Sequence, residues 1–488
     1  MGIKNHLLAG WCILLCSIAN ANNIQVTNLC IADHKVAEET FLITFDVAWE
    51  NSWRITEGPA NWDAAWIFLK YRADGGVWQH GKLSSAASPN SSASVKLTAD
   101  GVGTFLYRAT AGTGPVAFTG IEYEWEYGAA GVVDATEIEV KVIAVEMVYV
   151  PPGAFYLGSD GTSSYEFHRA DLNLFSNSPY PVTSEAEIDF GGGLGDLTSG
   201  SLLTEIESSG MIVADFPKGY AGFYCMKYET SQRQFIEFFN MLQEDWQVTM
   251  DPSNGGILTS ELLAVRNGFY WVGPGEAATH FPCLPAGSLS AGAMMAYLDW
   301  CGLRPMTELE YEKAARGTSS PVADEYAWGT DAIAELKYQV AEGGTPQEWI
   351  TNTGTSAQVG NALYSANAPS LGPVRVGAFA ASGGSNTRSM AGASYYGVME
   401  LSGNLSEFTI TVGNEAGRSY SGRHGDGALA TNGVANVPNW PLGDTGYGHR
   451  GGNFASTAST LRISNRSSAR DNFYPSATIG FRGVRTAD

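Results

Sequence analysis

Apolar and polar residues alternate in short runs along the first third of the chain. FLITFDVAW at 41–49, AAWIFLKYR at 64–72, ASVKLTA at 93–99, TFLYRA at 104–109 and EIEVKVIAV at 137–145 read as strands, and Gly, Pro, Asn and Ser break the chain between them. Antiparallel runs of this kind over residues 22–145 predict a β-sandwich, most simply of the immunoglobulin-like class. Trp49, Trp53, Trp62, Trp66 and Trp78 fall in this stretch and fit core packing better than a carbohydrate-stacking face.

From Met147 the pattern changes. MVYVPPGAFYLGS supplies a strand, a Pro-Pro-Gly turn and a second short strand, and residues 160–210, rich in Ser, Gly and Asp, read as an inserted loop region. FYCMKYETSQRQFIEFFNML then gives a strand and a helix, with Ser231 and Gln234 spaced as a capping box and Phe235, Phe238, Phe239 and Leu242 on one face. AGAMMAYLDWC forms a second helix stopped by Gly302, and a third opens at Thr307 with Glu310 placed for another capping box. Both read as ordinary amphipathic helices. Beyond Tyr326 glycines are frequent and helix signals few, which predicts short strands and long loops. The two regions together predict an α+β fold: a β-sandwich followed by a domain with little regular secondary structure.

Lys4, the apolar run Leu7 to Ile18 and the small residues Ala19-Asn20-Ala21 read as a secretory signal peptide over residues 1–21, cut after Ala21. Localisation is then secreted, extracellular or cell-surface. No later run approaches the roughly 20 apolar residues that a membrane span needs. Fifty acidic against 28 basic residues leave a formal charge of -22, which argues against nucleic acid and anionic membranes as partners. Cleavage leaves Cys30, Cys225, Cys283 and Cys301. An oxidising compartment favours disulfides among them. A helix between Cys283 and Cys301 disfavours that one pair, and the pairing otherwise stays open.

Seven segments follow one another in a familiar order: MVYVPPGAFYLGS, KYETSQRQF, LDWCGLRPMTELEYEKAARG, YAWGT, YYGVMELSGNLSEF, HRGGNF and IGFRGVR. Residues 146–488 thereby resemble the formylglycine-generating enzyme, or sulfatase-modifying factor, family. The resemblance implies a variant of the C-type lectin-like fold. It also implies oxidation of a sulfatase cysteine to formylglycine, with copper held by two thiolates shortly after the Arg-Gly-Gly motif. Soft thiolates suit Cu(I). Here the matching stretch, RGGNFASTASTLRISNRSSAR at 450–470, contains no cysteine, so no copper is expected.

In GVMELSGNLSEF the resemblance places Glu400, the carbonyls of Gly403 and Leu405, and Glu407 where the family binds a structural Ca²⁺. That donor set suits a hard cation. Ser406 stands where the family has Trp. No catalytic residue is assigned. The expectation is a secreted, non-catalytic ligand-binding or surface scaffold protein, and the alternative is a formylglycine-generating oxidase or related oxidoreductase. The segment between the Arg-Gly-Gly and Gly-Phe-Arg ends looks like the variable segment of proteins diversified by retroelements on this fold. Asn453, Phe454, Ser456, Thr457, Ser459, Thr460, Asn472, Phe473 and Tyr474 are its candidate contacts to an extracellular protein or glycan.

Overall fold

The run AAWIFLKY at 64–71 offers no polar face, and a strand of that kind must be covered on both sides. The computed structural model describes residues 24–134, 136–171, 178–200, 207–250, 263, 265–271, 273–369, 372–380, 387–469 and 474–488. Residues 24–126 contribute eight strands: β1 Gln25–Lys35, β2 Thr40–Arg54, β3 Asp63–Ala73, β4 Gln79–Gly81, β5 Leu83–Ala87, β6 Ala93–Leu97, β7 Thr104–Arg108 and β8 Gly112–Glu126. A ninth, β9, spans Ile138–Val150.

One antiparallel sheet runs β1-β2-β8-β5. Its residues Ile43, Phe45, Val47, Ile121, Tyr123 and Trp125 share a buried cluster with Ala65, Ile67, Leu69 and Tyr71 of β3. The intervening residues Ala64, Trp66 and Phe68 point the other way, into the largest cluster, with Met294, Leu298 and Trp300. The period of two thus buries both faces of β3. Trp66 Nε1 donates to the Cys301 carbonyl at 2.8 Å, and the buried Lys70 donates to the Trp300 and Gly427 carbonyls at 2.6 and 2.7 Å. Burial draws the Lys70 ammonium down to about 7.

The second sheet does not stop at residue 145. Its order is Arg304–Pro305, Gly483–Thr486, Phe223–Met226, β9, β3, β7 and β6, with β4 also paired to β3. β9 pairs with β3 from Ile138 to Val148 and with Phe223–Met226 from Met147 to Val150. The boundary expected between 145 and 146 therefore falls inside one strand. Asp63, Glu146 and Lys227 meet at this seam as buried ion pairs of 3.3 and 2.9 Å. The whole is mostly sheet with few helices.

Both capping boxes form, at Ser231/Gln234 and Thr307/Glu310. Gly302, at φ 71°, ends the Ala291–Trp300 helix. Two expectations are corrected. Residues 160–210 are not simply loop, because Phe167–Arg169, Ile188–Phe190, Leu197–Ser199 and Gly210–Ile212 form a four-stranded sheet. The Ala291–Trp300 and Glu308–Arg316 helices do not present a polar face to solvent, since all but one residue of the first and every residue of the second are buried. Among the described residues, no helix is long and apolar enough to cross a membrane.

Candidate functional site

Burying ELEYEKAAR on all sides forces its charges to find partners inside the protein. Arg450 lies at the end of the Tyr447–Arg450 strand, which pairs with Ser406–Ile410. It donates to Glu308 at 3.0 Å and to Glu312 at 2.7 Å. Its remaining bonds go to the carbonyls of Asn465 and Ile463, at 3.0 and 2.7 Å. Arg466 joins Glu207 and Glu308 at 2.7 and 2.8 Å, and Arg316 reaches Glu312, Glu325 and Ser464. Burial opposes the Arg466 charge, yet Glu207 and Glu308 hold its pKa above the usual value. Both ends of segment 451–465 are thus clamped to the acidic helix. The two glycines after Arg450 are needed there. Gly451 and Gly452 have φ of 84° and 63°, and a Cβ on them would come within 2.6 Å of the Leu401 carbonyl and of Leu461.

Beside this turn a pocket of about 80 Å³ opens, lined by Ser406, Asn453, Ser456, Thr460, Asn465 and the 449–452 and 467–468 segments. Three of the expected contacts, Asn453, Ser456 and Thr460, meet here. The others do not. Phe454 is buried among Leu363, Val374 and Leu405, and Thr457 and Ser459 are exposed beside Thr460 with their hydroxyls 3.1 Å apart. Tyr474 is 70% exposed. Asn472 and Phe473 lie outside the described residues, as does the expected signal peptide. The sequence reading missed Ser406, His449, Asn465, Ser467 and Ser468 as lining residues. The small Ser406 within an aromatic-rich motif was the one available signal.

Glu400 and Glu407 belong to a second buried centre. Glu407 is ion-paired with Arg482, whose Nε lies 2.7 Å away, and Glu400 accepts from Gly377 N at 2.9 Å. Their other oxygens, Glu400 Oε2 and Glu407 Oε2, are buried without a hydrogen-bond partner. Glu229, not foreseen, accepts from Leu405 N and Asn404 Nδ2 at 2.8 and 2.6 Å. Burial, then Glu407 and Glu400, push the Glu229 carboxyl far up. Burial also lifts Glu400 to about 7 and raises Glu407, with Arg482 opposing both. Orphaned carboxylate oxygens suit a hard cation. Among the described residues, however, no three His, Cys, Asp or Glu side chains are grouped to hold a metal. A Ca²⁺ here would need the Gly403 and Leu405 carbonyls to complete its shell.

The cysteines stand elsewhere. Cys225 and Cys301 are buried thiols donating to the Met226 and Leu298 carbonyls at 3.6 and 3.4 Å, and burial pushes each up to about 12. The expectation of disulfides fails for these two, because each is enclosed in a different part of the core. His80 and His424 are enclosed in the protein. Burial holds both well below 6.5, with Nε2 of His80 on the Val102 carbonyl and Nε2 of His424 accepting from Thr486 N.

The family model described as "Sulfatase-modifying factor enzyme 1-like domain" matches residues 197–487. The chain belongs to that family. A curated relative named formylglycine-generating enzyme, from Thermomonospora curvata, is 33% identical over 107 residues, which is 21% of this chain and 34% of the relative. The chain thus matches about a third of that protein's length. Among solved structures, Treponema denticola variable protein 1 aligns with a TM-score of 0.32 and 13% identity over 71% of this chain and 96% of that one. Within the sulfatase-modifying factor domain, the Arg450 clamp, the pocket and the Glu229/Glu400/Glu407 centre all lie inside the matched residues.

Proposed function

We propose that this protein is an exported, non-catalytic binding or scaffold member of the sulfatase-modifying factor family. One observation carries the reading. The stretch after Arg450-Gly451-Gly452, where the resemblance implies two copper thiolates, lines its pocket with Ser456, Thr460, Ser467 and Ser468. A serine or threonine hydroxyl does not ionise near neutral pH and does not suit Cu(I). Cys225 and Cys301, fixed in the core with thiols raised to about 12, are poor substitutes. The donor set therefore does not fit copper, and no oxidative step is derived for this chain.

The same reading takes residues 1–21 as a signal peptide, so N-terminal sequencing of exported protein should begin at Asn22. It takes residues 22–145 as a β-sandwich that supports the family domain, and Glu400 and Glu407 as ligands of a structural Ca²⁺. The ligand is an extracellular protein or glycan meeting the 453–460 segment. The alternative, a formylglycine-generating oxidase, draws support from the name of the curated relative. The test loads purified protein with Cu(I), supplies O₂ and reductant, and follows the mass of a sulfatase-type cysteine peptide. No conversion is expected. Aldehyde formation that is lost on Cys→Ser substitution in this chain would refute the proposal.

A further inference from the structure

The pocket beside Gly451-Gly452 has a chemical character that narrows its ligand. Its only formal cation, Arg450, is spent on Glu308, Glu312 and two backbone carbonyls, and its described lining includes no carboxylate and no lysine. No permanent charge is therefore left uncompensated at the cavity, and a chain of formal charge -22 repels acidic ligands at long range. The lining is also without apolar side chains, whereas protein partners commonly seat an aromatic or aliphatic anchor in such a hollow.

What remains is hydroxyl, amide and the imidazole of His449. Ser406 Oγ accepts from Asn453 Nδ2 at 2.9 Å, and Ser456 Oγ accepts from Asn453 N at 3.1 Å. With an acceptor site engaged, each hydroxyl keeps its proton to donate. Thr460 and Ser468 add further hydroxyls at the half-buried rim. The cavity, at about 80 Å³, is far below the roughly 300 to 1,000 Å³ of a typical small-molecule site. It admits one end group. The clamp at Arg450 and Arg466 holds these donors before any ligand arrives, which lowers the ordering cost of binding.

We propose that this pocket receives the terminal group of a neutral glycan, a hydroxymethyl or acetamido substituent that accepts from Ser406 and Ser456. The inference rests on the binding reading above and gives that reading a ligand class.

The test screens the full mature protein on an array of neutral, sialylated and sulfated oligosaccharides and a parallel panel of peptides, then measures affinity for the best probe by calorimetry. Neutral glycans should bind. Thr460→Trp, which fills the rim, should weaken binding about tenfold or more, and Ser456→Ala should weaken it less while leaving the melting temperature close to wild type. If Thr460→Trp unfolds the protein, Ser456→Ala still decides the matter. Preference for acidic glycans, binding of peptides alone, no binding at all, or affinity indifferent to both substitutions would each overturn the assignment. The cysteine-peptide oxidation assay reads a different reaction, so failure here and failure of the non-catalytic reading are told apart.

Discussion

Arg450 is held by two carboxylates and two carbonyls, and its removal leaves charge buried behind it. Arg450→Met should cost about 3–5 kcal/mol, the range for breaking a buried ion pair from one side. Loss of the Arg72–Glu139 pair, whose side chains are 34% and 48% exposed, should cost under about 1 kcal/mol. Urea unfolding of the two variants checks the contrast, and equal midpoints would mean that the buried network contributes nothing special. His424 sets a pH limit. Burial, with Arg485 and Arg304 nearby, holds it neutral as the acceptor for Thr486 N. A histidine whose folded pKa is depressed contributes stability that is present above its unfolded pKa near 6.5 and is lost as pH falls through the folded pKa. Melting temperature should therefore drop on acidification from pH 6.5 downward. His424→Gln, which keeps an acceptor that takes no proton, should flatten part of that drop.

The Ser406–Ile410 strand and the turn before it bring Glu400 and Glu407 against Glu229 and Arg482. Burial holds these three carboxyls toward their neutral forms, with Arg482 opposing it, and a divalent cation would bind by displacing their protons. A ligand bound only by the folded state adds roughly 2.7 kcal/mol at a hundred times its dissociation constant. Chelator should therefore lower the melting temperature, and the Glu400→Gln/Glu407→Gln variant should melt alike with and without Ca²⁺. Identical melting of wild type in chelator and in millimolar Ca²⁺ would remove the site. The three expected helices were legible in the sequence because capping is local, with Ser231, Gln234, Thr307 and Glu310 carrying their signal within four residues, whereas the short helices Glu244–Met250 and Glu415–Arg418 were not read. β8 escaped notice although it spans 15 residues, because Gly112, Gly114, Pro115 and Gly120 look like breaks while register shifts against β2 accommodate that end of the strand. The pocket was half legible. Asn453, Ser456 and Thr460 follow the motif directly, but Ser406 and Asn465 arrive through strand pairing and a buried arginine, which spacing along the chain does not encode.

At the scale of the whole molecule, β9 belongs to both halves. Deleting residues 24–137 would remove β3 and leave β9 with one edge and the Trp66 face of the core exposed. Such a fragment should be insoluble or molten when expressed, whereas a severable module would leave a soluble, cooperatively melting remainder. The sequence reading drew a boundary at 145 because the alternating pattern ends there. It passed over the run AAWIFLKY, which is apolar on both faces and already required a second layer. The shared strand has a mechanical consequence too. Force applied between residues 63 and 138, at opposite ends of the β3–β9 pair, would load that pair in shear along its length, so many backbone hydrogen bonds must fail together. Pulled in a single-molecule experiment, the protein should give way in one dominant rupture rather than as two beads on a string.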